Sequence, residues 1–133
     1  MRNKKSAMAA VLALGLAMSG APASAESHGN ELVHSRQFNG QVYVMYQDHM
    51  SLYTFDRDQA GISNCSGECA SVWKPAVLDA GVELGENYSI IERADGSMQA
   101  AFRGKPLYLY AGDSKPGDIN GDGIDGVWRL ARP

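Results

Sequence analysis

Leu52-Tyr-Thr-Phe-Asp-Arg-Asp58 returns in the same chain as Leu107-Tyr-Leu-Tyr-Ala-Gly-Asp113. At a constant offset of 55 positions Leu52 meets Leu107, Tyr53 meets Tyr108, Phe55 meets Tyr110 and Asp58 meets Asp113. Val72-Trp73-Lys74 then meets Val127-Trp128-Arg129 at the same offset, with no gap. An aromatic-x-aromatic run followed by Asp, with Trp further on, implies two copies of one small unit that pack on each other.

Outside the repeat, the N-terminus carries an export pattern. Met1-Arg-Asn-Lys-Lys5 is a basic start, Ala7 to Met18 an apolar stretch too short for a comfortable membrane span, and Ala23-Ser-Ala25 a small-x-small cleavage site. Residues 1–25 are therefore expected to be a signal peptide, with a retained N-terminal anchor as the alternative. No cysteine follows the cleavage site, so no lipid attachment is expected, nor stable membrane insertion after cleavage. The expected location is periplasmic or secreted. Taking Arg2, Lys4 and Lys5 from the twelve basic residues leaves nine against fifteen acidic, a mature net charge of −6 with neutral histidines. That balance argues against nucleic acid and against an anionic membrane surface as partners. Two cysteines in an oxidising compartment predict a disulfide.

Glu26 to Gly40 is polar and aperiodic and reads as a flexible leader. Gln41–Tyr46 alternates, Gln47-Asp-His-Met50 is a polar turn and Ser51–Phe55 follows, so a hairpin is expected over 41–55. Asn64–Trp73 suits a short helix capped by Ser63 or Asn64, with Glu68 in its first turn and Pro75 ending it. After an acidic connector, Tyr88–Arg93 and Ser97–Phe102 read as strands about an Asp95-Gly96 turn. Pro106–Tyr110 and Val127–Ala131 complete the set. The fold class is mainly β: a compact single domain at 41–133, built of two hairpin-centred, pseudo-symmetric repeats (about 41–78 and 88–133) with at most one or two short helical turns.

Four sets of residues could carry chemistry. Tyr53, Phe55 and Asp58, with Tyr108, Tyr110 and Asp113, place two same-face rings and a carboxylate in each copy. The structural account makes the rings core and each Asp an Asx cap of the next loop; the functional one makes aromatic clefts with a carboxylate at each lip, open to acid/base hydrolysis if Asp58 and Asp113 meet. Asp118-Ile-Asn-Gly-Asp-Gly123 matches the first half of a calcium loop: Asp118, Asn120 and Asp122 at ligand positions, the Ile124 carbonyl next and Asp125 as a stand-in, since Arg129 occupies the position of the closing Glu. Calcium is thus a candidate cofactor, and a plain Gly/Asp turn the alternative. Cys65-Ser-Gly-Glu-Cys69 lacks the redox spacing and suits a local structural disulfide. Copper bound by Cys65, Cys69, His49 and Met50 is the rival use of the same sulfurs. No nucleotide loop or nucleophile signature is visible.

Together, Leu52–Asp58, Ser63-Asn-Cys-Ser-Gly-Glu-Cys69, Trp73-Lys-Pro75, Arg93-Ala-Asp-Gly96, Gly104-Lys-Pro-Leu-Tyr108, Gly112-Asp113, Gly117–Gly123 and Gly126-Val-Trp128 resemble a bacterial secreted-repeat family of predicted lipoproteins, named for a Tyr-x-(Phe/Trp/Tyr)-x-x-Asp motif. The resemblance spans about residues 42–133. It implies exported proteins, often lipid-anchored, without an established activity, and carries the motif onto Tyr53, Phe55, Asp58, Tyr108, Tyr110 and Asp113. The turn Gln47–Met50 departs from the Gly-containing turn expected there. The function expected is an exported, non-enzymatic module, monomeric, binding a ligand or envelope component. Metal handling is the alternative, and a hydrolase on Asp58/Asp113 a minor one.

Overall fold

The computed structural model describes residues 32–133. The expected signal peptide at 1–25, and the leader up to residue 31, lie outside the described residues. Gln41–Tyr46 (β2) is a strand as expected, but its partner falls in the expected leader. Val33–Phe38 (β1) pairs antiparallel with β2, from Val33 opposite Tyr46 to Phe38 opposite Gln41. The leader is therefore corrected from Val33 onward. Its polar composition conceals a strand that buries Val33 while Ser35, Arg36 and Gln37 face solvent. The overlooked signal is Asn39-Gly40, at φ of 52° and 82°. This dipeptide suits a two-residue hairpin because its backbone twist matches that of the flanking strands.

The remaining strands are β3 (Tyr53–Phe55), β4 (Trp73–Pro75), β5 (Val77–Leu78), β6 (Tyr88–Glu92), β7 (Met98–Phe102), β8 (Lys105–Pro106), β9 (Tyr108–Tyr110) and β10 (Trp128–Leu130). The chain is mainly β, and all strand pairings among the described residues are antiparallel. The expected hairpin over 41–55 forms only about its turn. Tyr46 N–H donates to the Met50 carbonyl at 2.9 Å and Leu52 N–H to that of Val44 at 3.0 Å. Beyond Leu52 the chain leaves β2 and enters a different sheet. His49 closes this glycine-free turn at φ 68°, while Gly104 serves the corresponding turn at φ 84°.

That other sheet is the centre of the molecule, in the order β10-β3-β9-β4. Tyr53 on β3 lies opposite Tyr108 on β9, Trp128 opposite Phe55, and Trp73 opposite Tyr110. The repeats exchange their last strands: β4 of the first pairs with β9 of the second, and β10 of the second with β3 of the first. The exchange continues past both strands. Ala76 N–H donates to Leu107 O at 3.0 Å and Ala131 N–H to Leu52 O at 2.9 Å. Ala100 N–H reaches Ala76 O at 2.9 Å, and Val44 N–H reaches Ala131 O at 2.8 Å. Each repeat's hairpin, β1-β2 or β6-β7, is thus extended by the tail of the other.

The expected helix is shorter than its sequence window. α1 spans Glu68–Val72, behind Gly67 at φ 63° and without a side-chain cap. Ser63 and Asn64 do not cap it: the Ser63 hydroxyl lies 2.6 Å from the Tyr108 hydroxyl, and the Asn64 amide donates to Arg57 O at 2.8 Å. Nor does Pro75 end it, because Trp73 already starts β4.

Alternation on the central strands separates two cores. Leu52 and Leu107 join Val33, Val44, Ala100 and Phe102 in a mainly aliphatic cluster. Tyr53 and Tyr108 join Tyr43, Met45, Trp73 and Trp128 in an aromatic one. Both motif tyrosines are completely buried.

Candidate functional site

A fully buried tyrosine must find a partner for its hydroxyl, since an unpaired one costs about 1–3 kcal/mol. Here each partner comes from the other repeat. Tyr53 donates to Asp113 Oδ2 at 2.6 Å, and Tyr108 donates to Asp58 Oδ2 at 2.7 Å. The second oxygen of each carboxylate holds a loop: Asp58 Oδ1 accepts Asn64 N–H at 2.6 Å, and Asp113 Oδ1 accepts Asn120 N–H at 3.0 Å. Asp58 and Asp113 are therefore not Asx caps of the adjacent residues. That role falls to Asp48, which accepts Met50 N–H, and to Asp95, which accepts Ser97 N–H.

Burial raises both tyrosine pKa values well above the phenol range, and the facing carboxylates add to the shift. Burial also raises Asp58, against the lowering effect of the Tyr108 and Asn64 hydrogen bonds and of the Arg93 charge. Tyr53 and Tyr108 are consequently held as neutral donors, poorly suited to supply or accept a proton near neutral pH.

The rings beside these bonds form one continuous stack. Phe55 lies on Trp128 at 4.2 Å between centroids, Trp128 on Trp73 at 3.8 Å, and Trp73 on Tyr110 at 4.4 Å. Motif rings occupy both ends and the repeat tryptophans the middle; the end rings also each line a surface depression, Phe55 beside Asp58 and Tyr110 beside Asp113. Asp58 and Asp113 do not meet in one depression. Asp58 lines one with Gln59, Arg103 and Lys105; Asp113 lines another with Asp48, Met50 and Lys74.

The Asp/Asn loop is engaged with its own chain. Asp118 accepts Ser114 N–H at 2.8 Å, Lys115 N–H at 3.2 Å and the Lys115 ammonium at 2.8 Å. These contacts, the Lys115 ammonium foremost, hold its carboxyl well below the usual range. Asn120 turns to Asp113. Asp122 Oδ1 accepts Leu130 N–H at 2.9 Å, and its other oxygen lies 3.6 Å from Arg132. The Ile124 carbonyl accepts Val127 N–H at 3.2 Å, and Asp125 is exposed at φ 55°. Among the described residues no group of three or more His, Cys, Asp or Glu side chains is placed to hold a metal ion. Gly121 has a packing reason: a Cβ there would come within 2.7 Å of the Trp73 ring, and its N–H reaches the Tyr53 hydroxyl at 3.2 Å.

Cys65 and Cys69 are joined as a disulfide, 5.3 Å between Cα atoms. Of the four residues in the copper reading, two thus share a covalent bond and two lie elsewhere. His49 rests edge-on against His34 beside Arg36, and Met50 lines the Asp113 depression. Arg93 belongs to the family-like Arg93-Ala-Asp-Gly96 run, but nothing in the sequence gives it a role. It reaches Ser63 Oγ at 2.8 Å, Gln99 Oε1 at 2.9 Å and Cys65 O at 2.8 Å, fastening the second hairpin to the disulfide loop of the first repeat.

A family model described as a secreted repeat of unknown function matches the chain twice, over residues 39–77 and 89–132. Its two matches follow the structural repeats. No curated protein and no solved structure matches the chain. Among the described residues no helix is long and apolar enough to cross a membrane.

Proposed function

The chain belongs to a family of secreted repeats of unknown function, and on that footing we propose that it is an exported, non-enzymatic module that acts by binding a ligand or envelope component in the periplasm or outside the cell. The observation that carries this reading is the crossed pair of Tyr–Asp hydrogen bonds. The carboxylates a hydrolase would need are committed to joining the repeats and lie in separate depressions. Metal handling receives less support. The sulfurs of the copper set are bonded to each other, and the oxygens of the calcium set hold local backbone and side-chain donors.

The test is co-sedimentation of the purified mature protein with envelope preparations, run beside a panel of ester, glycoside and peptide substrates. Saturable retention without turnover supports the module. Turnover abolished by Asp58→Asn or Asp113→Asn, in variants that still melt cooperatively, would sink it. Calcium or copper retained through purification would move the reading to metal handling.

A further inference from the structure

We propose that the face around Arg103, Lys105, Arg129 and Arg132 is a binding site for a dianionic oxyanion of the phosphate class; this rests on the binding-module reading. The four cations line one surface depression of about 210 Å³, with Thr54 and Phe102 in its wall. All four are exposed. They gather in a chain whose overall charge is negative, so the depression departs from the rest of the molecule.

Two of the cations are already neutralised. Arg129 pairs with Asp56 at 2.8 Å, and Arg132 lies 3.6 Å from Asp122. Arg103 and Lys105 have no carboxylate partner among the described residues. The Arg103 guanidinium sits over the Phe102 ring, 4.9 Å from its centroid, which holds its position while leaving its donors to solvent. Beyond the Arg103-Gly104-Lys105 turn stand Asp56 and Asp58. Asp56 is engaged by Arg129, and Asp58 by Tyr108 and Asn64. Two cations outside any ion pair at a concave surface suit an oxyanion, and arginine's fork suits phosphate geometry.

The internal repeat shows that the fold does not require these cations. At the 55-residue offset Lys105 corresponds to Met50, Arg129 to Lys74 and Arg132 to Val77, and the turn holding Arg103 corresponds to Gln47-Asp48-His49. The twin depression is lined by Asp48, Met50, Lys74 and Asp113. At these four positions one backbone design thus carries four cations in one copy and, in the other, one lysine and one carboxylate, Asp48. The difference lies in surface chemistry, where a ligand reads it.

The experiment is isothermal titration of the mature protein with inorganic phosphate at low salt and slightly alkaline pH, and with polyphosphate as a second arm. Saturable binding that weakens as salt rises is expected. Arg103→Gln with Lys105→Gln should weaken it by about tenfold or more, the loss of one or two charge-assisted hydrogen bonds. Lys74→Gln in the twin depression should leave it within about twofold, as a site built on other residues predicts. Tighter binding of polyphosphate per phosphate would identify a polymer-borne group, and equal binding a free one; either supports the site. No binding by the wild-type protein, or undiminished binding by the double variant, overturns it. Envelope retention of the intact protein in that case leaves the binding module standing without this site.

Discussion

The indole rings of Trp73 and Trp128 stack face to face, 3.8 Å between centroids and 2° from parallel. They occupy the same position in the two repeats, so they meet on the pseudo-twofold axis. Each also stacks on a motif ring of the opposite repeat, Trp73 on Tyr110 and Trp128 on Phe55. The repeats are joined here by large buried faces, and truncation to Trp128→Ala should cost on the order of 3–5 kcal/mol. Chemical denaturation measures it. A cost below about 1 kcal/mol, typical of a surface substitution, would mean that the stack does not join the halves.

Tyr–Asp coupling should run between repeats and not within them. Tyr53→Phe leaves Asp113 Oδ2 and Gly121 N–H short of a partner, at about 1–3 kcal/mol. In a double-mutant cycle Tyr53→Phe should couple to Asp113→Asn by about 1 kcal/mol or more, while Tyr53→Phe with Asp58→Asn should be additive to about 0.5 kcal/mol. The opposite pattern would place each tyrosine with the aspartate of its own copy.

Neither repeat should fold alone. Residues 32–87 without their partner lack β9 and β10, which flank β3 in the central sheet. Residues 88–133 lack β3, β4 and β5. Expressed separately, each segment should give a disordered circular dichroism spectrum, and mixing the two should restore β signal and a melting transition. Cooperative melting of either one by itself would contradict the strand exchange.

Gly121→Ala should destabilise because the position is buried and the added Cβ meets Trp73 at 2.7 Å and Tyr110 at 3.1 Å. An overpacked contact of this kind costs about 1–3 kcal/mol. Gly123→Ala is strained for a different reason, its φ of 89°, with no atom within 4 Å of the new Cβ. Tryptophan fluorescence separates the two: the first variant should perturb the indole environment, and the second should leave it as in the wild type.

Acid should weaken the fold partly through Asp118. The Lys115 ammonium and the Ser114 and Lys115 amides depress its pKa in the folded state. A carboxylate depressed on folding lends stability that is present above its unfolded value of about 3.9 and lost as pH falls through the folded value. Asp58, raised by burial, runs the other way: its contribution is present at low pH and falls as pH rises through the elevated value. Melting temperature followed from neutral pH into acid should therefore decline less steeply for Asp118→Asn than for the wild type. An unchanged acid limb would remove Asp118 from the account.

The pieces legible in the sequence were the local ones. The tandem motif, the Asp95-Gly96 turn and the close cysteine pair each depend on residues near one another in the chain. β1 has a legible sign in Asn39-Gly40, which marks a hairpin, but Ser35-Arg36-Gln37 before it has the composition of a polar leader. Asp118–Asp125 shows the opposite case. Its oxygen spacing fits a calcium loop, yet the same oxygens cap turns and receive Leu130 N–H, and no local pattern distinguishes those uses. Arg93 is marked only as part of the Arg93-Ala-Asp-Gly96 run, and its role stays hidden because Ser63 and Cys65 are brought to it from the other repeat.

By itself the sequence determined that the chain is a β-rich duplication, because repetition, alternation and turn chemistry act over a few residues and are written directly in their order. Only the tertiary structure decided which copy's aspartate serves which tyrosine. The spacing from Tyr53 to Asp58 is the same as from Tyr108 to Asp113, so sequence distance favours pairing within a copy. Packing decides otherwise. When β3 and β9 lie antiparallel with Tyr53 opposite Tyr108, each buried hydroxyl is carried to the far repeat's carboxylate, and the need to satisfy it there ties the two halves into one fold.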